Sequence, residues 1–304
     1  MLIIVDGMAI AYRAWYSLPA HIRGDGVEEG LPLVGYLMLR HLLDMIDDVC
    51  LDLDTSEFAV VMCWDRPGSS DRRRKMAIES GLVEKVYKGN RTENITDERR
   101  QAREAVSVLA KEFERVHRRL GIKSDLFEAD DIIALLATNS AQSIIISRDM
   151  DFCQLLQREI NSVIYNPYTE EYITRDSFIE EYGFPPKWWV LWKALAGDAS
   201  DNWPGVFGMG PAKTTAFIRQ VERTGVSVEA GIDRAVARWG EIVRLGVDLV
   251  TIPFMEHTET KYINKAFLDI LVALGDREPF NWSDYFETFG IQRISIKSVQ
   301  RTII

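Results

Sequence analysis

Acidic side chains recur after predicted strands and at predicted helix starts, and these are the residues that could do chemistry. They are Asp6, Asp65, Glu128, Asp130, Asp131, Asp149, Asp151, Asp198 and Asp201. Carboxylates brought to one place repel each other by about 1 kcal/mol per close pair even in water. Their convergence would need divalent cations, and two-metal phosphodiester chemistry is the natural use of such a centre.

Nitrogen and sulfur ligands are scarce and scattered. The three cysteines, Cys50, Cys63 and Cys153, are widely spaced, form no CxxC pair and indicate neither a disulfide framework nor a zinc site. The four histidines are equally dispersed. Since oxygen ligands dominate, any bound metal should be magnesium or manganese.

The charge is distributed unevenly along the chain. The net charge is −10, which argues at first against a nucleic-acid partner. Between Arg66 and Arg119, however, 15 Lys or Arg stand against 9 Asp or Glu. One segment is therefore suited to bind phosphates while the remainder holds metals.

Strands alternating with helices predict an α/β fold with a mostly parallel central sheet flanked by helices. The strands are predicted at residues 2–5, 58–63, 143–147 and 162–166. The helices are predicted at residues 31–49, from about 97 to 120, and at 128–141, 174–182, 185–196, 212–221 and 262–274. After residue 174 the strand signal fades, and a soft boundary is placed near Gly183.

In open parallel sheets, ligands bind beyond the carboxyl ends of the strands. Asp6, Asp65, Asp149 and Asp151 each follow a predicted strand, which places them where a site would be built. Two further pairs of acidic residues are spaced three residues apart, which places both members on one face of a helix. They are Glu128 with Asp131 and Asp198 with Asp201. Stabilisation of a helix N-terminus is an alternative role for these pairs, but it does not account for acids that follow strands.

Residues 204–216 combine glycines with a cation before a predicted helix. A Walker A loop is excluded because Ala212 precedes Lys213, and a dinucleotide fingerprint lacks its strand and its third glycine. A tight turn at Gly205, Gly208 and Gly210 leading into a helix could instead hold a phosphate of DNA on free backbone N–H groups. A plain glycine helix cap is the alternative.

The basic stretch from Arg66 to Lys75 has no regular periodicity and is predicted to be an exposed excursion from the core. Further on, Tyr87, Lys88 and Arg91 set an aromatic beside two cations, which could stack a base and neutralise a phosphate. Arg13, on the helix after the first strand, is a second candidate phosphate contact. A surface ion pair is its alternative role.

The order of these motifs resembles the flap endonuclease and 5′→3′ exonuclease family, most closely its phage and bacterial branch. The resemblance covers about residues 2–220. It rests on Val5-Asp6-Gly7 with Tyr12-Arg13, Cys63-Trp64-Asp65, Tyr87-Lys88-Gly89-Asn90-Arg91, Glu128-Ala129-Asp130-Asp131, Ser147-Arg148-Asp149-Met150-Asp151, and Gly197-Asp198-Ala199-Ser200-Asp201 with its following glycine hairpin.

The resemblance implies two metal sites holding magnesium or manganese. Asp6, Asp65, Glu128, Asp130 and Asp131 would form the first site, and Asp149, Asp151, Asp198 and Asp201 the second. Lys88 and Arg13 would contact the scissile phosphate, with Tyr87 stacking on a base and Arg91 binding DNA. Gly205, Gly208, Gly210 and Lys213 would hold the duplex backbone, together with a potassium ion.

The implied organisation is a PIN-like nuclease core at residues 1–183 and a helical region at 184–304. The core carries a basic helical arch at about 66–103, and the helical region carries a helix-hairpin-helix-type clamp at about 197–221. The implied activity is hydrolysis of DNA with 5′ ends or flaps to a 5′-phosphate and a 3′-hydroxyl, with RNA primers on DNA as further substrates. A cytoplasmic monomer without a membrane partner is expected. A PIN-type ribonuclease and a non-catalytic branched-DNA binder are the alternatives.

Overall fold

The structure is a computed structural model that describes residues 1–23, 27–53, 58–66, 68–84, 87–89, 96–116, 121–122 and 127–254. Arg91 and the helix predicted at 262–274 lie outside the described residues. Within the described chain, no helix is both long enough and apolar enough to cross a membrane.

A six-stranded, mostly parallel sheet lies at the centre of the fold. Its strands run in the order β3-β2-β1-β4-β5-β6, and only β6 is antiparallel to its neighbour. The strands are β1 (Leu2–Asp6), β2 (Ala59–Cys63), β3 (Gly121–Ile122), β4 (Ser143–Ile146), β5 (Ser162–Asn166) and β6 (Glu171–Ile173). The four predicted strands are confirmed, whereas the short edge strands β3 and β6 were not predicted.

Eleven α-helices surround this sheet in the described chain. They are α1 (Gly7–Ser17), α2 (Ala20–Arg23), α3 (Val27–Leu53), α4 (Asp71–Ser80), α5 (Asp97–Val116), α6 (Ala129–Thr138), α7 (Arg175–Tyr182), α8 (Trp189–Ala196), α9 (Pro211–Arg223), α10 (Val228–Trp239) and α11 (Ile242–Val250). The predicted helices within the described residues are present, and the predicted fold class is confirmed.

The central strands are apolar on both faces because helices cover both faces of the sheet. Ile4 and Ile145 enter one hydrophobic layer, which α6, α8, α9, α10 and α11 complete. Ile3, Val5 and Ile146 enter the opposite layer, which α1, α3 and α5 complete. The first layer is continuous from the sheet to α11, so its packing extends across residue 183.

The strand register brings the acidic residues to one edge of the sheet. Asp6 at the end of β1 lies opposite Cys63 of β2, and Val5 lies opposite Ile146 of β4. The chain segments that follow these three parallel strands therefore emerge side by side. This alignment delivers Asp6, Asp65 and Asp149 to the same region.

The prediction that Arg66 to Lys75 forms an exposed excursion is wrong for Arg73. Residues 71–80 form α4, which ends at Gly81 in a left-handed conformation with a φ of 64°. Arg73 of this helix is only 3% exposed. The reason is that buried carboxylates and backbone carbonyls from distant elements surround its guanidinium, a contact that the local basic composition does not encode.

Candidate active site

The first acidic group consists of Asp6, Asp65, Asp130 and Asp149. Asp6 caps α1, accepting hydrogen bonds from the backbone N–H of Ala9 at 3.1 Å and from Ser147 Oγ at 2.8 Å. Asp65 Oδ1 accepts from the backbone N–H of Ala129 at 2.8 Å, which ties the end of β2 to the start of α6. Backbone or hydroxyl donors of neighbouring elements thus hold the carboxylates of Asp6 and Asp65.

Burial and mutual repulsion act on the first acidic group. Burial raises the pKa of Asp6 from 3.8 to about 6, and Asp65 and Asp149 add to the increase. Burial, followed by the charge of Asp149, raises the pKa of Asp130 well above its usual value, and Lys88 opposes this. Because the negative charges of Asp65 and Asp149 raise the pKa values of Asp6 and Asp130, the first acidic group is a site of negative potential suited to a bound cation.

Glu128 and Asp131 are held by basic side chains. Arg73 donates two hydrogen bonds to Asp131, at 2.9 and 2.7 Å, and one to Glu128. Lys88 Nζ lies 2.8 Å from Glu128 Oε1. Asp131 also accepts from the backbone N–H groups of Glu128 at 3.1 Å and Phe254 at 2.7 Å. Their part as metal ligands stays a prediction, and in this structure both stabilise the junction of α4 and α6.

Lys88 and Tyr87 are both buried beside the acidic residues. The Tyr87 hydroxyl donates to Asp201 Oδ2 at 2.7 Å, and its ring packs in a cluster with Trp203 and Leu249. The backbone N–H of Lys88 donates to the Asp201 carbonyl at 2.8 Å. Lys88 thus bridges Glu128 and Asp201. Stacking of Tyr87 on a base stays a prediction and would require its ring to leave this cluster.

The second acidic group consists of Asp151, Asp198 and Asp201. Each of the three contributes a carboxylate oxygen within 4.8 Å of the others. Asp198 and Asp201 lie in the turn after α8, where a bridge between Asp198 and Trp203 closes the turn. Asp151 follows Asp149, whose Oδ1 accepts from the Asp151 backbone N–H at 2.8 Å. Residues 149–151 therefore connect the two acidic groups.

Lys193 of α8 lies between two acids of the second group. Its Nζ forms ion pairs with Asp151 and, at 2.5 Å, with Asp198. Burial raises the pKa of Asp151 to about 7 and Asp149 adds to this, while Lys193 opposes both. Burial also raises the pKa of Asp198, but Lys193 and Ser200 outweigh it and lower the value to about 2. The ammonium partly neutralises the second group.

The donor set fits hard divalent cations. All candidate ligands of both groups are carboxylate oxygens, which magnesium and manganese prefer. Cys63 and Cys153 are buried nearby, and burial raises the pKa of both thiols above the ordinary value. Thiols that stay protonated do not compete as ligands, so the site favours oxygen-bound metals.

The predicted hairpin lies between the second acidic group and α9. Gly205 has a φ of 67° and packs against the backbone of residues 195–197, where a Cβ atom would lie 2.5 Å from the Gly197 nitrogen. Gly208 has a φ of 78° and is exposed, and Gly210 precedes Pro211 at the start of α9. Helix α9 therefore begins at an exposed position, where the first backbone N–H groups of a helix can bind an anion. Lys213 is exposed in the first turn of α9.

Arg13 lies on α1 near the first acidic group. Its NH2 is 3.7 Å from Glu170 Oε1, and its guanidinium carbon is 5.7 Å from the centroid of the Tyr168 ring. The surface ion pair expected as the alternative is therefore present. Phosphate contact by Arg13 stays a prediction.

Sequence reasoning did not identify two basic residues of this site, Arg73 and Lys193. Lys193 carried a usable signal, because it is the one charged residue in the otherwise apolar run from Trp188 to Ala196. Arg73 carried none, since it stands among three other basic residues between Arg72 and Lys75. A run of equal charges does not reveal which member is buried.

Comparison with known proteins identifies the family. A family model described as the 5′-3′ exonuclease N-terminal resolvase-like domain matches residues 1–183. The chain belongs to the 5′-3′ exonuclease family. A 5′-3′ exonuclease of Bacillus subtilis is 31% identical over 230 residues, which cover 73% of this chain and 70% of that protein.

Some proteins similar to this chain are much longer. The thermostable DNA polymerase I of Thermus thermophilus is 32% identical across 72% of this chain, but the match covers 24% of the polymerase. This chain thus spans about a quarter of that relative. Among solved structures, T5 5′-exonuclease with bound zinc superposes with a TM-score of 0.59 at 19% identity, covering 90% of this chain and 99% of that one. The two share a fold.

The metal-free protein is expected to lose stability as the pH rises from about 4 to about 7. The pKa values of Asp6 and Asp151 are raised from 3.8 to about 6 and about 7, so in this range the folded state holds protons that the unfolded state has released. A divalent cation favours the deprotonated carboxylates. Magnesium should therefore raise the unfolding temperature more at pH 8 than at pH 5.

Thermal unfolding with EDTA and with magnesium, from pH 4.5 to pH 8, measures this effect. The depressed pKa of Asp198, about 2, adds a loss of stability only below about pH 4 and so lies outside the test range. An unfolding temperature in EDTA that rises from pH 4.5 to pH 7 would contradict the expectation.

Proposed function

We propose that this member of the 5′-3′ exonuclease family is a magnesium-dependent, structure-specific 5′ nuclease that cleaves DNA at 5′ ends and flaps. The approach of the two acidic groups to one another, joined by residues 149–151 and by the contacts of Lys88 with Glu128 and Asp201, carries this proposal. Asp6, Asp65, Glu128, Asp130 and Asp131 would hold one cation, and Asp151, Asp198 and Asp201 the other. Asp149, assigned to the second site by the resemblance, would lie between the two sites, because its charge acts on Asp130 and on Asp151.

The carboxylates of the two acidic groups would hold two divalent cations, and cations bound in this way supply activation of a water and stabilisation of the leaving 3′ oxygen. The protein's own part is to fix the carboxylates. Ser147 and the backbone N–H of Ala9 orient Asp6, and the backbone N–H of Ala129 orients Asp65. The expected products are a 5′-phosphate and a 3′-hydroxyl.

The substrate would be recognised by its shape and backbone. The exposed start of α9 and Lys213 would hold the duplex backbone, with a potassium ion at the glycine hairpin. Residues from about 66 to 103 would form the arch around the 5′ strand, and Lys88 and Arg13 would contact the scissile phosphate. Binding of this kind depends on neutralising the charges of the phosphates, so the affinity for DNA should fall steeply as the salt concentration rises.

Magnesium titration of cleavage on a 5′-labelled forked DNA flap, beside the matching RNA substrate, tests the proposal. Cleavage near the junction that requires the metal supports the nuclease. Cleavage of the RNA substrate alone would favour a PIN-type ribonuclease. Tight binding of the fork without cleavage at any magnesium or manganese concentration would favour a binding protein.

Replacing Lys88 by alanine should slow the chemical step by about 10²–10³-fold, because a positive charge next to the scissile phosphate stabilises the transition state. Lys88 is 5% exposed and lies 2.8 Å from Glu128, so it is held at the site before substrate arrives. Single-turnover cleavage at saturating enzyme measures this rate. The matched control is Lys187→Ala, which removes an ion pair with Glu222 at 2.9 Å on the helical side. Equal rates for both variants would remove Lys88 from the chemistry.

The remaining proposals concern organisation. Residues 1–183 would form the nuclease core and 184–304 the helical region, with the clamp at about 197–221. The protein would act as a monomer in the cytoplasm of a bacterial or phage-infected cell, on RNA primers as well as DNA. Sedimentation and assays with RNA-primed DNA flaps test these points.

A further inference from the structure

Two arginines and a tyrosine lie together beside the first acidic group. The guanidinium carbon of Arg148 lies 4.9 Å from the centroid of the Tyr168 ring, and that of Arg13 lies 5.7 Å from it. Arg148 is exposed, and Tyr168 is 42% exposed. The Arg148–Tyr168 pair is therefore open to a ligand from solvent.

Hydrogen bonds connect this cluster to Asp6. The Tyr168 hydroxyl donates to the Ala9 carbonyl at 3.4 Å, and the backbone N–H of the same Ala9 donates to Asp6 at 3.1 Å. Ser147, which directly precedes Arg148, donates its hydroxyl to Asp6 at 2.8 Å. Arg148 is thus adjacent in sequence to the predicted metal ligand Asp149, and Tyr168 is connected to the predicted ligand Asp6 through two hydrogen bonds and Ala9.

The charges of the cluster favour an anion. Glu170 partly neutralises Arg13 at 3.7 Å. Within the part of the chain that the structure describes, Arg148 has no carboxylate within ion-pair distance, although Asp149 follows it directly. An arginine that stacks on an aromatic ring keeps its five N–H donors for planar or bidentate contacts with phosphate.

We propose that Arg148, oriented by Tyr168 and assisted by Arg13, binds a backbone phosphate of the substrate strand adjacent to the phosphate that is cleaved. This inference rests on the proposed nuclease function. The glycine hairpin follows Asp201, in the second acidic group, whereas Arg148 adjoins the first. The nucleic acid would then be held on both sides of the metal centre.

Arg148→Ala tests the contact, with Arg158→Ala as the matched control. Both arginines are exposed. Arg148 follows β4 at the carboxyl ends of the parallel strands, whereas Arg158 precedes β5 and so lies toward their amino ends. Fork binding is measured by fluorescence anisotropy in EDTA at several salt concentrations. We expect Arg148→Ala to bind about tenfold more weakly, with a salt slope smaller by about 0.7–0.9, as for the loss of one phosphate contact. Arg158→Ala should match wild type.

Forks carrying a single neutral methylphosphonate locate the contact. One position next to the cleavage site should weaken wild-type binding, and the same position should have no effect in Arg148→Ala. Tyr168→Ala keeps the charge of Arg148 but removes the ring that orients it, so its salt slope and its methylphosphonate effect should both lie between those of wild type and Arg148→Ala.

An Arg148→Ala protein with the salt slope and methylphosphonate profile of Arg158→Ala would overturn the inference. Wild-type cleavage of the fork under magnesium in the same experiment would leave the nuclease function standing. Absence of wild-type cleavage would reject the function itself. Circular dichroism confirms that each variant is folded.

Discussion

Asp130→Asn is expected to abolish cleavage and at the same time to stabilise the metal-free protein. Burial and the charge of Asp149 raise the pKa of Asp130 well above its usual value, with Asp65 and Asp6 adding to the effect. The neutral amide of asparagine removes that repulsion. It also removes the negative charge of one predicted metal ligand. Because metal ions contribute several kcal/mol to such reactions, the cleavage rate should fall by at least about 10³-fold.

The gain in stability should be present at pH 8, where deprotonation of the buried Asp130 carboxyl costs the folded wild-type protein free energy that the amide does not cost the variant. Urea unfolding in EDTA measures it, and the added stabilisation by magnesium should shrink in the variant. Asp176→Asn is the control, since the Asp176 side chain is 92% exposed in α7. An Asp130→Asn enzyme with normal turnover, or one less stable than wild type in EDTA, would show that the carboxylate serves another purpose.

Arg73→Ala is expected to lower the free energy of unfolding by about 3–5 kcal/mol, because it leaves buried charges without their partner. The guanidinium holds Asp131 and Glu128 and also donates to the carbonyls of Leu249 and Thr251, each at 3.1 Å. It stacks on the Phe254 ring at 4.7 Å as well. One side chain thereby joins α4, α6 and the end of α11.

Urea unfolding of Arg73→Ala beside Lys75→Ala tests this role. Lys75 is in the same helix, but its side chain is 73% exposed and its pair with Glu79 is 3.8 Å long, so its removal should cost less than about 1 kcal/mol. Arg73→Lys should be intermediate, because an ammonium keeps the charge but not the forked donors. Equal losses for Arg73→Ala and Lys75→Ala would show that the buried contacts add nothing to stability.

The local pattern of the chain was enough to predict the sheet and the acidic edge. Short apolar runs such as residues 2–5 and 143–146 predict strands buried on both faces, and Asp6 and Asp149 follow them closely. Parallel strands emerge at a common edge, so the approach of these carboxylates follows from their order. The edge strands β3 and β6 were missed because two or three residues carry too little periodicity.

The basic side chains that neutralise the acidic residues could not be predicted from the local sequence pattern. Arg73 reaches Asp131 across 58 residues, and Lys193 reaches Asp151 across 42. Such pairs depend on how helices dock on the sheet, and neither hydrophobic period nor charge composition specifies that docking. The same reason explains why the burial of Tyr87 could not be predicted from its basic neighbours in the sequence. Carboxylate placement thus came from strand order along the chain, whereas the neutralising partners came from packing between distant elements.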